Sequence, residues 1–143
     1  MAQGGRLVTE EELVARAEPE GMRLVAEFVE RHLRECGAPD DVRAEIMVAV
    51  DEVSTNIVSY SGSPDMTVRY ELYEGPGVVR ITFIDSGKPW NPLTHADPDI
   101  TLDADERAVG GLGILMVKNL MDDVSYEFRD GRNMLSFRKQ LPW

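Results

Sequence analysis

The 143-residue chain contains one cysteine, Cys36, and two histidines, His32 and His95. One thiol makes no internal bridge, which suits a reducing compartment, and so few soft ligands leave no zinc site. No stretch approaches the roughly 20 apolar residues of a membrane helix. Met1 is followed by Ala2-Gln3-Gly4-Gly5, without the apolar run of a signal peptide. Positive charge is scarce: fifteen Lys and Arg stand against twenty-six Asp and Glu, a net charge of −11. Nucleic-acid phosphates need clustered cations, so nucleic acid is disfavoured as a ligand. The expectation is a soluble cytoplasmic protein bound to neither membrane nor nucleic acid. A mononucleotide stays compatible with the acidity, because backbone N–H groups and Mg²⁺ can hold its phosphates without a basic patch.

What the chain does have is enough apolar residue, 43%, for one core of ordinary domain size, read as one domain over residues 1–143. Arg6-Leu7-Val8-Thr9 reads as a short edge strand. From about Glu20, Met22, Val25, Phe28, Val29, His32 and Leu33 recur at three- and four-residue steps, a helix that Gly37 stops. Pro39-Asp40-Asp41 restarts a second helix carrying Val42, Ile46, Ala49, Val50, Val53 and Ile57, ending near Tyr60-Ser61-Gly62. The period then falls to two over Met66–Tyr73 and, after Glu74-Gly75-Pro76-Gly77, over Val78–Ile84. The second of these strands is the more apolar and is expected nearer the sheet centre. Gly87 to about Arg107 carries Pro89, Pro92 and Pro98 with little periodicity, the mark of a lid or binding segment. Leu112–Met121 reads as a helix with Leu112, Leu115, Met116, Asn119 and Leu120 buried. A last hairpin joins Val124–Phe128 to Met134–Arg138. This order predicts an α+β fold, a two-layer sandwich with helices on one face of a mostly antiparallel sheet. It is not the βαβ alternation of a dinucleotide-binding fold.

Three places break the structural pattern. Glu52 and Asn56 lie four apart on one side of the second helix, where a carboxylate can take a proton and a carboxamide oxygen can meet a hard cation. Alone, they are as well explained by a solvated flank. Asp85-Ser86-Gly87 closes the apolar strand, where an acid can accept from the amino group of a base, or simply form a turn. Gly110-Gly111-Leu112-Gly113 opens the third helix at a cost in helix propensity. Wrapping phosphate at a helix N-terminus would explain them, as would a hinge. No Lys-Ser/Thr follows, so this is not a P-loop.

The order Glu-x-x-x-Asn helix, strand ending in Asp-x-Gly, lid, then Gly-x-Gly opening a helix resembles the N, G1 and G2 boxes of the GHKL (Bergerat-fold) ATPases. Ala49–Ile57 and Gly110–Val124, with its Met121-Asp122-Asp123-Val124, are similar to those of the bacterial anti-sigma-factor serine/threonine kinases of the RsbW type. The likeness runs from about Glu20 to Lys139. It implies ATP and Mg²⁺ as cofactors, with Asn56 the metal ligand and Glu52 the catalytic base. It implies that Asp85 binds the adenine amino group, Gly87 shapes the base pocket, Gly110, Gly111, Leu112 and Gly113 surround the phosphates, and Arg107 approaches the γ-phosphate. It further implies a STAS-domain anti-anti-sigma factor as the phosphorylated partner, a sigma factor as the other partner, and a possible homodimer through a sheet edge. Two departures stand out. Pro89 replaces the second glycine of Asp-x-Gly-x-Gly, and Ser59-Tyr60 stands where relatives often place His. A non-catalytic ATP-binding interaction module and an ATP hydrolase of a larger signalling system both remain compatible with these residues.

Overall fold

The computed structural model describes residues 5–94 and 111–143. In chain order its elements are strand β1 (Arg6–Arg16), helix α1 (Pro19–Glu35), helix α2 (Asp40–Asn56) continued by a π-helical turn (Ile57–Ser61), strands β2 (Asp65–Glu74) and β3 (Val78–Asp85), a 3₁₀ turn (Pro92–Thr94), helix α3 (Gly111–Leu120), and strands β4 (Asp123–Arg129) and β5 (Arg132–Gln140). The strands form one sheet in the order β1-β2-β3-β5-β4. Every pairing among the described residues is antiparallel. The α+β sandwich expected from the sequence is the fold observed, and β3 holds the central place that its apolar run suggested.

Strand alternation decides which side chains meet the helices. Val68 of β2, Phe83 of β3 and Leu135 of β5 share one register row, and Tyr70, Ile81 and Phe137 share the next. These six are buried against Val25, Val29 and Leu33 of α1 and Ile46, Ala49, Val50 and Val53 of α2. Among the described residues no helix covers the opposite face, which is largely polar, as antiparallel sheets allow. Thr82 and Ser136 meet there at 2.8 Å across β3 and β5.

Local signals account for the helix ends. Pro19 opens α1, and Gly37 follows it at φ +78°, a left-handed stop that a side chain would disfavour. His32 is a buried core histidine: its Nδ1 lies 2.9 Å from the Phe28 carbonyl and its ring packs on Phe28 and Tyr70. Burial pushes the Tyr70 phenol well above its ordinary range. In the first turn of α1, packed on the end of the first strand, Gly21 is obligatory, because a Cβ there would lie 1.7 Å from the Arg16 carbonyl oxygen.

Two expectations need correction. β1 runs to Arg16 rather than stopping at Thr9. Its Glu10-Glu11-Glu12 centre has poor strand propensity, and the pairing with β2 overrides it. Ion pairs Arg6–Glu74 at 3.0 Å and Arg69–Glu12 at 2.8 Å accompany that pairing. The buried face of α3 is also rotated in part from the one expected: Leu120 packs against the core as expected, and the Leu112 side chain lies outside what is described. Ile114, Val117 and Met121 are buried, while Met116 is 44% exposed and Asn119 is exposed. The Ile114–Val117 run is apolar all round, so periodicity alone could not choose a side.

Ile81 sits in the middle of the central strand and is fully buried. Replacing it with alanine is expected to lower unfolding free energy by about 2–5 kcal/mol, read as a shift in urea midpoint with an unchanged slope.

Candidate functional site

The register of β3 on β5 sets Asp85 directly opposite Asn133, at the strand ends nearest the α2 terminus. Both are buried. One Asp85 carboxylate oxygen, Oδ1, accepts hydrogen bonds from the Gly87 backbone N–H at 2.9 Å and from the Asn133 amide at 3.0 Å. Its other oxygen makes no hydrogen bond to any described residue. The Asn133 Nδ2 also reaches the carbonyls of Gly87 at 3.3 Å and Lys88 at 2.9 Å. Its Oδ1 accepts from the Trp90 N–H at 3.2 Å and from the Tyr126 hydroxyl. One strand side chain thus fixes the whole turn from Asp85 to Trp90.

The other wall comes from α2. Its last residue, Asn56, is 6% exposed and lines a cavity of about 50 Å³ together with Asp85, Asn133, Lys88, Tyr60 and Trp90. The Asn56 carboxamide has no hydrogen-bond partner among the described residues, so both its oxygen and its amide remain available to the cavity. Beyond Asn56 the helix widens into the π turn and ends at Gly62, φ +76°. Such π turns occur often at functional sites. Here it carries Tyr60 to the cavity wall, its ring centroid 6.3 Å from that of Trp90.

The π turn and the β3 end are fastened together. Ser61 Oγ accepts from the Ser63 N–H at 2.9 Å, and Ser63 Oγ accepts from the Ser86 N–H at 3.1 Å. The Lys88 N–H donates to the Ser61 carbonyl at 3.3 Å. Gly87 is what permits this approach: an added Cβ would sit 2.1 Å from that same carbonyl oxygen. At the far side, Lys139 Nζ bonds the Leu120 carbonyl at 2.8 Å and pairs with Glu45 at 3.1 Å, placing a cation at the C-terminus of α3 beside α2.

Of the residues singled out in the sequence, Asn56 and Asp85 come together in the cavity, while Gly87 does not line it and lies between Asp85 and Lys88, which do. Glu52 is half-buried one turn before Asn56 and is not part of the cavity wall. Gly111, Leu112 and Gly113 form the first turn of α3, immediately before Ile114, which lines the cavity. Arg107, Gly110 and His95 lie outside the described residues. Among the described residues no three His, Cys, Asp or Glu side chains are grouped to hold a metal. A larger groove, about 340 Å³, lies on the helix-free face beside Arg80 and Arg138, and includes none of these residues.

Asn133, Tyr126, Trp90 and Lys88 escaped the sequence reading. The signal for Asn133 was present: extending the period of Leu135 and Phe137 back by one step places a carboxamide on the apolar face. Gly87→Ala is expected to force Gly87 and Ser61 apart. It should cost about 1–3 kcal/mol and red-shift Trp90 emission, measured against a Trp143→Phe background.

Comparison with known proteins adds the following. The family model described as "Histidine kinase-like ATPase domain" matches residues 15–139. The serine-protein kinase RsbW of Listeria monocytogenes is 33% identical over 95 residues, covering 61% of this chain and 59% of that protein. The chain therefore matches less than two thirds of that relative's length. Among solved structures, the RsbU and RsbW domains of a Mycobacterium tuberculosis protein superpose at a TM-score of 0.67 with 19% identity, covering 94% of this chain and 33% of that one. The SiaB–SiaC complex of Pseudomonas aeruginosa gives 0.55 with 16% identity, covering 96% of this chain and 92% of that one. These two likenesses concern the fold alone.

Proposed function

The chain belongs to the histidine kinase-like ATPase domain family, and on that premise we propose that it binds Mg·ATP and phosphorylates a serine or threonine of a STAS-domain anti-anti-sigma partner, so governing the availability of a sigma factor. The observation that carries the nucleotide half is the pairing, in one cavity, of the Asp85 carboxylate, with one oxygen unbonded, and the Asn56 carboxamide, unbonded as well among the described residues. Serine-protein kinases among the sequence relatives support the transfer half.

The donor set suits both groups. Asp85 presents an acceptor to an exocyclic amino group, and Asn133 and Gly87 keep that carboxylate in place. Asn56 would hold Mg²⁺ through its carboxamide oxygen. This ion binds proteins through few side chains and takes much of its shell from phosphate and water, so one neutral ligand is adequate. When bound, the ion offsets the charge of the phosphates. The free N–H groups of the first α3 turn, at Gly111, Leu112 and Gly113, would meet phosphate oxygens at the positive helix end, with Gly110 and Arg107 before them in sequence. Glu52, four residues or about 6 Å of helix rise before Asn56, would take the proton of the attacking hydroxyl.

At about 50 Å³ the cavity is smaller than a purine, so a bound nucleotide would have to widen it, with Trp90 in its wall. Trp90 then reports binding directly. A second reading, a nucleotide-binding interaction module without transfer, draws on the absence of Glu52 from the cavity wall. One pair of variants separates the two. With Mg·ATP at about 100 times its Kd, wild type should gain about 2.7 kcal/mol of stability, and Asn56→Ala should lose most of that gain. Glu52→Gln should keep the gain but lose phosphoryl transfer to a co-purified STAS partner by about 10²- to 10⁴-fold. Wild type that is stabilised by ATP yet never labels the partner would leave only the module.

A further inference from the structure

The cavity holds a feature that adenine binding alone does not require. Asp85 Oδ1 takes two hydrogen bonds, from the Gly87 N–H and from Asn133 Nδ2, which fills both of its lone-pair directions. Only Oδ2 is left to a ligand. This matters because purines differ in what they offer a carboxylate. Adenine presents one exocyclic amino group beside a ring nitrogen that accepts. Guanine presents a ring N–H and an exocyclic amino group side by side, two donors matched to both oxygens of one carboxylate. A carboxylate with two available oxygens can therefore take guanine bidentately, whereas one with a single available oxygen cannot.

We propose that Asn133 is a positioning residue for nucleobase selectivity: by occupying Asp85 Oδ1 it reduces Asp85 to a single acceptor and so makes the site select adenine over guanine. The inference rests on the nucleotide reading given above. Four further contacts show that the carboxamide is placed for this and is not free to turn away. Its Oδ1 is engaged by the Trp90 N–H and the Tyr126 hydroxyl, and its Nδ2 also meets the Gly87 and Lys88 carbonyls. Flipping the amide would set oxygen against two carbonyls and a carboxylate. It would also set N–H against N–H, so the donor direction toward Asp85 is determined. A hydrophobic residue of the same size would bury the same area yet leave Oδ1 half open. The Asn133 chemistry, not its bulk, is what restricts the base.

The test is the ratio of GTP to ATP dissociation constants, read by calorimetry with Mg²⁺ for wild type, Asn133→Ala and Asn133→Asp. Wild type should prefer ATP strongly, and Asn133→Ala should reduce the ratio at least tenfold, chiefly by tightening GTP. In Asn133→Asp the new carboxyl faces Asp85 of β3, the Tyr126 hydroxyl of β4 and the Lys88 segment of the turn. Two carboxylates this close cannot both stay ionised at low pH. Once the new carboxyl is protonated it donates to Asp85, so the ratio should recover toward wild type as pH falls from 8 to 5, while the wild-type ratio stays flat. Tyr126→Phe, which removes a neighbouring bond but not the one to Asp85, should keep the ratio within a factor of about three. Variants that are less stable but keep the wild-type ratio at every pH would overturn the inference and leave ATP binding intact. Wild type that binds neither nucleotide would remove the nucleotide reading and this inference together.

Discussion

The hydrogen bond between Asn133 and Asp85 joins the last strand to the end of the central one at the point where the sheet meets the α2 terminus. Because Asn133 also holds the backbone from Gly87 to Trp90, the geometry of the whole turn depends on one carboxamide. The turn in turn sits on the Ser61 carbonyl, in a contact that only glycine at position 87 allows. The chain is thereby closed into a loop of dependencies: β5 holds the β3 end, the β3 end holds the π turn, and the π turn continues the helix that carries Asn56. Buried polar groups arranged this way are costly if one member is missing, since each then loses a partner without regaining water.

The sheet supplies the rigidity that makes such a site usable. The two helix-facing rows at its centre, Val68–Phe83–Leu135 and Tyr70–Ile81–Phe137, are apolar, and in the row beside them Met66, Asp85 and Asn133 stand side by side. The polar pair is thus backed by packed side chains rather than by solvent, and its position follows from a register that cannot slip by one residue without turning the core outward. The α2 helix contributes differently. Its stripe from Ile46 to Val53 fastens it to the sheet, and its last residue, Asn56, lines the cavity. The serine bonds among Ser61, Ser63 and Ser86 keep that end from sliding along the sheet. Catalytic and binding groups held in this way suit chemistry that depends on position more than on reactivity, as phosphoryl transfer does.

Much of the fold is legible in the sequence. The three helices and four of the five strands follow from hydrophobic period and from stops such as Gly37. The central place of β3 follows from its unbroken apolar run. The first strand was legible only in part, because Glu10–Glu12 have a composition that denies a strand and gain one only by pairing with β2. The face of α3 was misjudged for a complementary reason: a helix turn apolar on all sides contains no directional information, and contact with α2 and β4 selects it. At the site, Asn56 and Asp85 could be named from their residue types and order. The period places Asn133 on the apolar face, but its bonds to Asp85 and Trp90 could not be read, since they span 48 and 43 residues.

Linear spacing by itself determined the fold class and the order of the elements. It determined also that a carboxamide ends the second helix and a carboxylate ends the central strand, because periodicity and end signals are properties of neighbours along the chain. Tertiary structure alone decided that these two groups share one cavity, that Glu52 stands outside its wall, and that Asn133 occupies one oxygen of Asp85. Those are consequences of strand register and of a helix end pressed against a glycine. Both are set by packing between residues far apart in sequence, which no local pattern encodes.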